Sequence, residues 1–447
     1  MKCQNIVLQI MTTLIVLPTQ LYPRSKIFWN QWSEVIVIEE SHYINKLMHP
    51  LKLWFHRASM LEYFDSIPHK SKKYIRYDSS FTTPDTFSIC HPTDKAMVDK
   101  YKKGTILENP SFILTLQELD DFDTSGHDIF YKKMRIKLGL LMNGDKPVGG
   151  KWSYDTLNRK KYPQSFEETN PLDRSMNNKF ITQAKDITKL SNITDKYITS
   201  MIWTTNRKSA MKDMKEFVKY RLSEFGPYQD AISQNIVVGN HSCLSATLNI
   251  GLITPNDIIK EVMKYDIPIE SIEGFLRQII GWREYIRMKY IIHGLVDWSY
   301  LKGMNNSMPK SWYDATTGIE TLDWSIDRVV KYSYSSHIER LMLLLNYATL
   351  LRLKYEDVRK WFVRMFIDGY DWVMLNVSMG VNGLSPHGPK FMKRAYLTNG
   401  TYLMKMGIKM SKEDLNQLKE LYNDFIKDNK ALAKRDYRLA SAVKRLS

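Results

Sequence analysis

The segment EVIVIEESHYINKLMHPLKLWFHRASMLEYF, residues 34–64, joins two patterns that together predict a fold class. Its first part, 34–40, is an apolar run typical of a strand that is buried on both faces of a parallel sheet. The part that follows, 49–64, has its large apolar residues at helical spacing, namely Leu51, Trp54, Phe55, Met60 and Leu61. A buried strand followed by such a helix predicts a β–α unit.

The neighbouring segments extend this unit into an α/β domain. The runs TLIVL (13–17), which ends before Pro18, and KYIRYD (73–78) predict two further strands. In folds with this strand–helix–strand order, ligands bind at the carboxyl ends of the strands. No GxGxxG motif follows the first strand, so we infer no dinucleotide there. The first residues have one Lys, an interrupted apolar run and no small-residue cleavage site, and we expect no signal peptide.

The rest of the chain changes character twice. Residues 142–171 are polar, contain glycine and show little periodicity, which is typical of a connection between domains. From about residue 185 onward, helices are predicted over 211–225, 230–238, 256–264, 270–292, 335–351, 356–374 and 411–427. We therefore predict an α/β amino-terminal domain over 1–140, a linker over 141–184 and a larger all-helical domain over 185–447.

The composition indicates a globular protein with a polyanionic partner. The chain has 447 residues, of which 43% are hydrophobic and 12% aromatic, so a large core is expected and disorder is not. A net charge of +16 favours nucleic acid as the partner, with an anionic membrane surface second. Residues 385–447 hold 14 Lys or Arg and 6 Asp or Glu, so half of the excess charge lies there. No window reaches the roughly 18 apolar residues of a membrane-spanning helix.

The cysteines argue for a reducing compartment. Cys3, Cys90 and Cys243 lie far apart and follow no metal-binding spacing. We therefore expect an intracellular, cytoplasmic protein with neither a disulfide framework nor a cysteine-held cluster. We also expect a monomer.

The segment 225–255 contains a candidate phosphate site. Gly239, Ser242 and Ser245 precede or begin a predicted helix, where backbone N–H groups and hydroxyls bind anions. The alternative is an ordinary helix N-cap, which is a common use of serine at such a position. These residues alone leave both alternatives open.

The segment 273–290 carries charged and polar residues on an otherwise apolar helix. Phe275, Ile279, Trp282 and Ile286 line one face, whereas Arg277, Gln278 and Arg283 lie elsewhere. A buried Arg normally meets a carboxylate or a bound anion. An amphipathic core helix is the alternative.

The segment 335–347 raises a similar question. Helical spacing puts His337 and Arg340 on one face, which suits either a solvated first turn or a cationic pair that faces a bound anion. Downstream, Asp368 and Asp371 lie about one turn apart among aromatic residues. They are either solvated carboxylates or groups for acid–base work, metal binding or a hydrogen bond to a heterocycle, and a metal site is the weaker hypothesis.

Segments along nearly the whole chain resemble the photolyase/cryptochrome superfamily. More closely, the chain is similar to the branch of bacterial (6-4) photolyases and photolyase-related, cryptochrome-like proteins. Among the most telling segments are HSCLSATLNIGLITP (241–255), FLRQIIGWREY (275–285) and YSSHIERLMLLLNYATLL (334–351). The others are 38–60, 146–163, 225–232, 317–326, 361–375, 394–406 and 421–426, all in the family's order.

The resemblance implies a Rossmann-like, antenna-type α/β domain and a helical domain that binds FAD in a folded conformation. In the family, a Ser-x-Leu-Ser turn holds the FAD phosphates, and an Arg and an Asp hold the isoalloxazine side. The residues that match cofactor-binding positions are Tyr228, Ser242, Leu244, Ser245, Gln278, Arg283, Arg340 and Asp368. Arg suits a pyrophosphate, and an acceptor beside the flavin tunes its electronics.

The resemblance also implies light-driven repair of UV-damaged DNA. In the family, blue light excites reduced FAD, which passes an electron to a pyrimidine dimer flipped out of the duplex. His337 matches the proposed proton donor to a (6-4) lesion, and Tyr396 and Tyr402 match tyrosines of the lesion pocket. Trp361 matches the inner tryptophan of the photoreduction chain. The alternative function is a blue-light photoreceptor of the cryptochrome type without repair activity.

The sequence departs from this branch at several positions. The four cysteines of its iron–sulfur cluster are absent, with Thr321 at the first of them, so we predict no cluster and no metal site. Ser336 stands where close relatives have a second His, which weakens the case for (6-4) repair. Tyr313 stands where relatives have an outer Trp, so the electron relay is rerouted through Trp312 or slowed.

Three further expectations concern single side chains. Met374 stands where the family has a polar group near flavin N5, so the stable redox state of the flavin is in question. Glu39 and Glu40 are candidate contacts of a lumazine-type antenna chromophore, although carboxylates at strand ends are often simply solvated. Glu339 is expected to be an exposed or Arg-paired carboxylate.

Overall fold

The computed structural model accounts for most of the chain, including both predicted domains. The described residues are 12–27, 31–124, 126–375, 377, 381, 383–386, 391–392 and 394–446. Cys3 and most of the segment that bears on the signal-peptide prediction lie outside them.

A five-stranded parallel sheet forms the centre of the amino-terminal domain, with strand order β3-β2-β1-β4-β5. The strands are β1 Thr13–Val16, β2 Glu34–Ile38, β3 Lys72–Ile75, β4 Phe87–Cys90 and β5 Thr105–Leu107. Thr13 of β1 pairs with Glu34 on one side and with Phe87 on the other. The three predicted strands are confirmed. The sequence analysis missed β4 and β5, which are only four and three residues long.

The predicted helix after β2 spans Pro50–Ser66 and lies between the sheet and the helical half. It begins with Pro50 at a position where the missing N–H costs nothing, and the His49 side chain accepts a hydrogen bond from Leu51 N–H. All of its first eleven residues are buried, as expected for a helix that is covered on all sides.

The remaining regular elements are predominantly helical. In the first 200 residues the further helices are Lys95–Tyr101, Leu119–Phe122, His127–Leu138 and Lys179–Ala184. The helices that follow are Arg207–Tyr220, Phe225–Tyr228, Ser245–Asn249, Pro255–Val262, Ile269–Leu276, Glu284–His293, Glu320–Tyr332, His337–Glu339, Leu345–Leu350, Tyr355–Met365, Thr401–Met406, Lys412–Asp428, Lys430–Ala433 and Tyr437–Leu446. Short 3-10 turns are Arg24–Lys26, Val148–Gly150, Asp155–Leu157, Lys185–Leu190, Leu222–Glu224 and Lys310–Trp312.

Two of the predicted helices differ from the structure. Residues 230–238 are not helical, because the chain folds into turns whose carbonyls accept hydrogen bonds from Arg328. The helix predicted over 356–374 ends at Met365, and the chain then turns through Gly369. A Cβ at Gly369 would lie 2.5 Å from the carbonyl oxygen of Phe362, so the close approach at this turn requires glycine.

The predicted linker lies against the helical half. It contains a small hairpin, β6 Met142–Asn143 and β7 Lys146–Pro147, and is anchored further along where Tyr154 N–H donates to Glu273 at 2.9 Å. One hydrophobic cluster joins the sheet to residues of the first helical segments, and a second fills the carboxyl-terminal helices. Among the described helices, none is long and apolar enough to cross a membrane.

Candidate functional site

A cavity of about 990 Å³ opens in the helical half. Its volume is at the upper end of the ~300–1,000 Å³ of small-molecule and cofactor sites. The linker supplies one wall through Trp152, Ser153, Asp155 and Arg159, and the helix His127–Leu138 contributes His127, Asp128 and Tyr131. The other walls come from Gln229 and Asp230, from residues of 277–286 and 337–345, and from described residues between 362 and 439. The predicted site residues that line it are Gln278, His337, Arg340, Tyr396 and Tyr402.

Two of the segments that line this cavity are π-helical. Arg277–Arg283 joins the helices Ile269–Leu276 and Glu284–His293, and Arg340–Leu344 follows directly on His337–Glu339. A π turn widens the helix to i→i+5 hydrogen bonds, and such turns lie frequently at functional sites. The α-helical spacing assumed from the sequence therefore does not hold across either segment.

Arg340 and Asp368 form a two-bonded ion pair at the cavity wall. The distance from Nη1 to Oδ1 is 3.0 Å, and the distance from Nη2 to Oδ2 is 3.2 Å. The Arg340 Nε donates to the carbonyl of Ser335, and its guanidinium lies 4.2 Å from the centre of the Phe366 ring. Asp368 itself does not line the cavity. Such a paired geometry fixes the direction of the guanidinium as well as its charge.

Lys52, from the amino-terminal domain, holds the turn that carries Asp368. Its Nζ donates to the carbonyls of Val363, at 2.7 Å, and Gly369, and it lies 4.7 Å from the centre of the Tyr370 ring. Burial lowers the pKa of Lys52 to about 7. The sequence analysis missed this residue, although a lysine inside the apolar run PLKLWF is a signal for a buried partner.

His337 lies on the cavity wall with its side chain 41% exposed, and its Nε2 is 3.5 Å from Oδ1 of Asp230. Ser336 caps this helix, since its hydroxyl accepts a hydrogen bond from the N–H of Glu339. Glu339 is buried and accepts from Arg328 at 2.6 Å, and burial raises its pKa despite this partner. Of the two alternatives predicted for Glu339, exposed or paired with an arginine, the second is confirmed. Asp230 was not predicted.

Tyr396 and Tyr402 line the same cavity as His337. Burial is the main cause that raises the pKa of Tyr396 to about 12, and burial and Asp230 also raise the pKa of Tyr402. Both hydroxyls are therefore protonated at neutral pH and can donate hydrogen bonds. The basic residues on this cavity, besides those named above, are Arg159, Arg277, Arg394, Lys405 and Arg438.

The Ser-x-Leu-Ser turn does not line the large cavity. Ser242 and Leu244 border a separate cavity of about 20 Å³ together with Arg174 and Arg221. Ser245 begins a helix of five residues, and the Ser242 hydroxyl accepts a hydrogen bond from Leu244 N–H at 3.4 Å. No side chain caps this helix, and the phosphate-binding role of the turn stays a prediction.

Glu168, in the linker, binds backbone N–H groups just before this turn. Glu168 accepts hydrogen bonds from three successive N–H groups, those of Val237 at 2.8 Å, Val238 at 2.5 Å and Gly239 at 2.7 Å. Successive N–H groups that converge in this way form an anion-binding nest. An anion that bound this nest would have to displace Glu168.

Tyr228 lies beside the nest and stacks on Tyr162 of the linker. The two ring centres are 5.1 Å apart and the rings are inclined by 14°. The Tyr162 hydroxyl accepts a hydrogen bond from Asn240 N–H at 3.2 Å. Tyr228 does not line the large cavity, so its cofactor contact stays a prediction.

Arg283 lies at the boundary between the two halves and not on the large cavity. Its Nη1 donates to the carbonyl of Ser111, its Nη2 lies 3.4 Å from Oδ1 of Asn249, and its guanidinium is 4.2 Å from the centre of the Phe112 ring. Burial lowers its pKa to about 10. In this structure Arg283 joins the helical half to the segment after β5.

Trp361 is buried behind the cavity wall. Its Nε1 donates to the carbonyl of Trp312 at 2.8 Å, and the two indole rings are 5.3 Å apart at nearly a right angle. Phe362, which lines the cavity, lies 5.1 Å from Trp361. An electron relay that passes through Trp312 instead of position 313 would need this contact between Trp361 and Trp312. The relay itself stays a prediction.

Glu39 and Glu40 are buried, so the alternative that they are simply solvated does not hold. The Nε and Nη2 of Arg57 each donate to Glu39 at 2.7 Å, and the Tyr74 hydroxyl donates at the same distance. Glu40 accepts from a lysine and a tyrosine of the helix Lys95–Tyr101. Both carboxylates follow β2 and are bonded by side chains of the helices Pro50–Ser66 and Lys95–Tyr101 instead of water. The lumazine-type chromophore stays a prediction.

The cysteine positions agree with free thiols. Cys90 and Cys243 are free, and burial raises the pKa of each to about 12, while Cys3 lies outside the described residues. Thr321, at the position of the first cluster cysteine, donates through its N–H and its hydroxyl to Asp414. Among the described residues, no group of His, Cys, Asp and Glu side chains is arranged to hold a metal ion.

The chain is similar in sequence or in fold to several known proteins. The family described as deoxyribodipyrimidine photo-lyase-related protein matches residues 14–195. The (6-4) photolyase of Agrobacterium fabrum is 31% identical over 332 residues, which cover 70% of this chain and 64% of that protein. The chain is similar in fold to the cryptochrome of Synechocystis sp. PCC6803, with a TM-score of 0.58, 12% identity and 98% and 99% of the two chains covered. It is also similar to the archaeal photolyase of Sulfolobus tokodaii, solved with two FAD molecules, with a TM-score of 0.53, 11% identity and 97% and 100% covered.

The fold and the large cavity define a protein of the photolyase/cryptochrome architecture, with a parallel-sheet α/β domain at the amino terminus and a helical remainder. The relationship to the photolyase/cryptochrome superfamily that the sequence motifs predict is confirmed by the matched family, the 31% identical relative and the shared fold. Because it spans less than two thirds of its (6-4) photolyase relative, the activity of that protein is not simply transferred.

Proposed function

We propose that this protein is a DNA photolyase, a light-driven lyase that repairs UV-induced pyrimidine dimers with FAD bound in the large cavity. Its proposed substrate is the (6-4) photoproduct. The observation that carries the proposal is that His337, Tyr396 and Tyr402 line the same cavity as the Arg340 of the Arg340–Asp368 pair. The 31% identity to a (6-4) photolyase supports the substrate.

The cavity residues fit a large, flat and partly anionic cofactor. Its apolar wall suits a ring system and includes Leu341, Leu345, Phe362, Val373 and Met374. When bound, FAD supplies the absorption of blue light and the electron that the repair reaction needs. Arg340 offers a cation that Asp368 orients from behind, so the guanidinium is in place before a ligand enters.

His337 is the proposed proton donor to the lesion. Its imidazole faces the cavity, and the carboxylate of Asp230, 3.5 Å from its Nε2, can orient the ring. Tyr396 and Tyr402 are protonated and can donate hydrogen bonds to the carbonyl groups of a flipped base. These residues hold and direct a proton, which is the part of the reaction that belongs to the protein.

The charge around the cavity suits DNA as the partner. Arg159, Arg394, Lys405 and Arg438 line it, and the segment 385–447 carries a large share of the net charge. Contacts with phosphates make affinity strongly dependent on salt. We therefore expect binding to UV-damaged DNA to weaken steeply between about 50 and 200 mM salt, as is general for proteins with many phosphate contacts.

The decisive test is repair under blue light with purified protein that carries its flavin. Duplexes with a single cyclobutane dimer or a single (6-4) photoproduct are illuminated, and restored bases are quantified against a dark sample. We expect repair of the (6-4) substrate, and His337→Ala should reduce its rate about 10²- to 10⁴-fold, the range for loss of a general acid. His69→Ala, on the amino-terminal domain, is the control that should repair normally.

Three outcomes would change the proposal. Protein without a blue flavin band would refute FAD as the cofactor. Repair of the cyclobutane dimer alone would correct the substrate. Flavin-loaded protein that repairs neither lesion would favour the blue-light photoreceptor.

A further inference from the structure

His241, which the sequence analysis did not single out, is a buried histidine in unusual surroundings. Its Nδ1 lies 3.0 Å from the carbonyl oxygen of Val238, and its Nε2 lies 2.8 Å from the carbonyl oxygen of Gln229. A neutral imidazole has one N–H, so it can donate to only one of these two acceptors. The protonated ring donates to both. The neutral ring leaves one nitrogen lone pair against a carbonyl oxygen.

His49 provides the contrast within the same chain. Its Nε2 faces the carbonyl oxygen of Val330 at 3.0 Å, and its Nδ1 accepts the N–H of Leu51 at 3.2 Å. The neutral ring satisfies both contacts. Burial lowers the pKa of His49 to about 4, and burial together with His337 lowers the pKa of His241 to about 4 as well. The two histidines are equally buried, but only His241 gains a hydrogen bond when it is protonated.

His337 lies directly against His241. The ring centres are 5.4 Å apart and the rings are perpendicular within 5°. Both nitrogens of His241 are directed at carbonyls, so no hydrogen bond links the two rings and their coupling is electrostatic. At this distance, two positive charges in a mostly buried site repel strongly.

Few unpaired charges surround the two histidines in the described part of the chain. Asp230 faces His337, and Arg159 lies 3.9 Å from the other oxygen of Asp230. Other charged groups in the described part of the chain are bonded to one another, namely Glu339 with Arg328, Arg340 with Asp368, Arg277 with Asp155, and Glu168 with the backbone N–H groups of 237–239. The Tyr396 and Tyr402 hydroxyls near Asp230 are neutral. Among the described residues, Asp230 is therefore the carboxylate that acts on both imidazoles.

We propose that His241 and His337 form an anticooperative pair that holds one positive charge, with His241 as a positioning residue for the proton on His337. This rests on the proposed function, in which His337 gives a proton to the lesion. When that proton leaves, the repulsion of His241 ends, and protonation of His241, which would complete its second carbonyl hydrogen bond, becomes easier.

The test follows the protonation of each histidine by NMR of the full chain with its flavin, in the dark and with ¹⁵N-labelled histidine, between about pH 3 and 8.5, which includes the pKa of about 4 of His49 and His241. In the parent, His241 should remain neutral over most of this range. In His337→Asn, its midpoint should rise by about two pH units, as expected for removing a charge 5.4 Å away at an effective dielectric constant of ~20. His337→Gln serves if the Asn variant does not fold.

His49 is the internal control, since it is equally buried and its midpoint should not move in either variant. The reciprocal variant, His241→Asn, completes the pair, because linkage requires the coupling to appear in whichever ring is protonated second. If the His241 midpoint does not move in the His337 variants and the His337 midpoint does not move in His241→Asn, the proposal is wrong. A flavoprotein that shows this coupling but repairs no lesion would retain the pair and refute the proposed function instead.

Discussion

Two polar regions of the described structure lie where a protein of this class can bind a ligand. They differ in how many of their polar groups are already bonded within the protein. One is the carboxyl edge of the sheet between β1 and β4, the point where the strand order reverses and α/β proteins bind ligands. There the helical half covers the edge and leaves a cavity of about 10 Å³, bordered by Asp94 and Arg283. The other region is the cavity of about 990 Å³ in the helical half.

The same residue types serve different purposes in the two regions. Along the carboxyl edge of the sheet, Glu39 after β2 is buried and bonded by Arg57, and Asp94 after β4 accepts the N–H of Trp372. At the large cavity, Arg340 is paired from behind and still lines open space. A charged group that is enclosed by partners stabilises the fold, and one that keeps a side toward open volume can act on a ligand.

The largest expected effect comes from breaking the enclosed pair. Arg57→Ala leaves the buried Glu39 without its cation and should lower the free energy of unfolding by about 3–5 kcal/mol. The ratio of bound flavin to folded protein should stay the same, because the pair is remote from the large cavity. Urea unfolding and the flavin absorbance of the folded fraction measure the two effects. Lys73→Ala, which removes the exposed partner of Glu34, should change stability by at most about 1 kcal/mol.

Removing the arginine of the cavity pair should affect flavin binding more than stability. Arg340→Ala should weaken flavin binding about 10- to 100-fold, the range for a hydrogen bond to a charged group, and should lower stability less than Arg57→Ala does. Flavin release measured by fluorescence during dialysis gives the affinity. Arg340→Lys tests whether charge alone suffices, and Arg76→Ala is the exposed control. Unchanged flavin binding in Arg340→Ala would place the cofactor elsewhere.

Lys52 connects the two regions and gives a pH-dependent test. Its folded-state pKa is lowered to about 7, whereas the unfolded chain keeps this proton up to about pH 10.4. The unfolded state therefore binds more protons between these values, and the contribution of Lys52 to stability increases as the pH rises through this range. We expect the stability of the parent relative to Lys52→Met to increase from pH 7 to 9.5. Exposed Lys46→Met should give no such slope, and a flat difference for Lys52→Met would contradict the assignment.

The smallest expected effect concerns the nest beside the Ser-x-Leu-Ser turn. Glu168→Gln should lower the free energy of unfolding by about 1–2 kcal/mol, since hydrogen bonds to a charged acceptor become bonds to a neutral one. Its exposed neighbour provides the control Glu167→Gln, which should have no measurable effect. If Glu168 only fastens the linker, flavin affinity stays unchanged. Tighter flavin binding in Glu168→Gln would show that the carboxylate competes with a phosphate for the nest.

Much of the fold was predictable because its signals are local. Apolar runs predicted β1, β2 and β3, and helical spacing predicted the helix Pro50–Ser66. The prediction failed over 230–238, where apolar residues at helical spacing belong to turns whose carbonyls bond Arg328 almost a hundred positions away. No local pattern contains that partner.

The candidate site was predictable only in part. His337, Arg340, Tyr396 and Tyr402 come from the family motifs, and the structure places all four on one cavity. The two π turns were not predictable, because the sequence shows spacing and not the backbone hydrogen bonds that set it. Asp230 was missed for a related reason, as a single carboxylate in a loop has no signal until a partner faces it.

The sequence by itself determined the residue types, the α/β-then-helical order of the chain and its similarity to photolyase-related proteins. Only the tertiary structure decided which charges are enclosed and which face open volume. Lys52 meets Gly369 across 317 positions, and Glu39 is buried because a helix covers the strand that carries it. Burial and partnership are properties of the packed chain, and they set whether a charged side chain holds the fold together or remains available to a ligand.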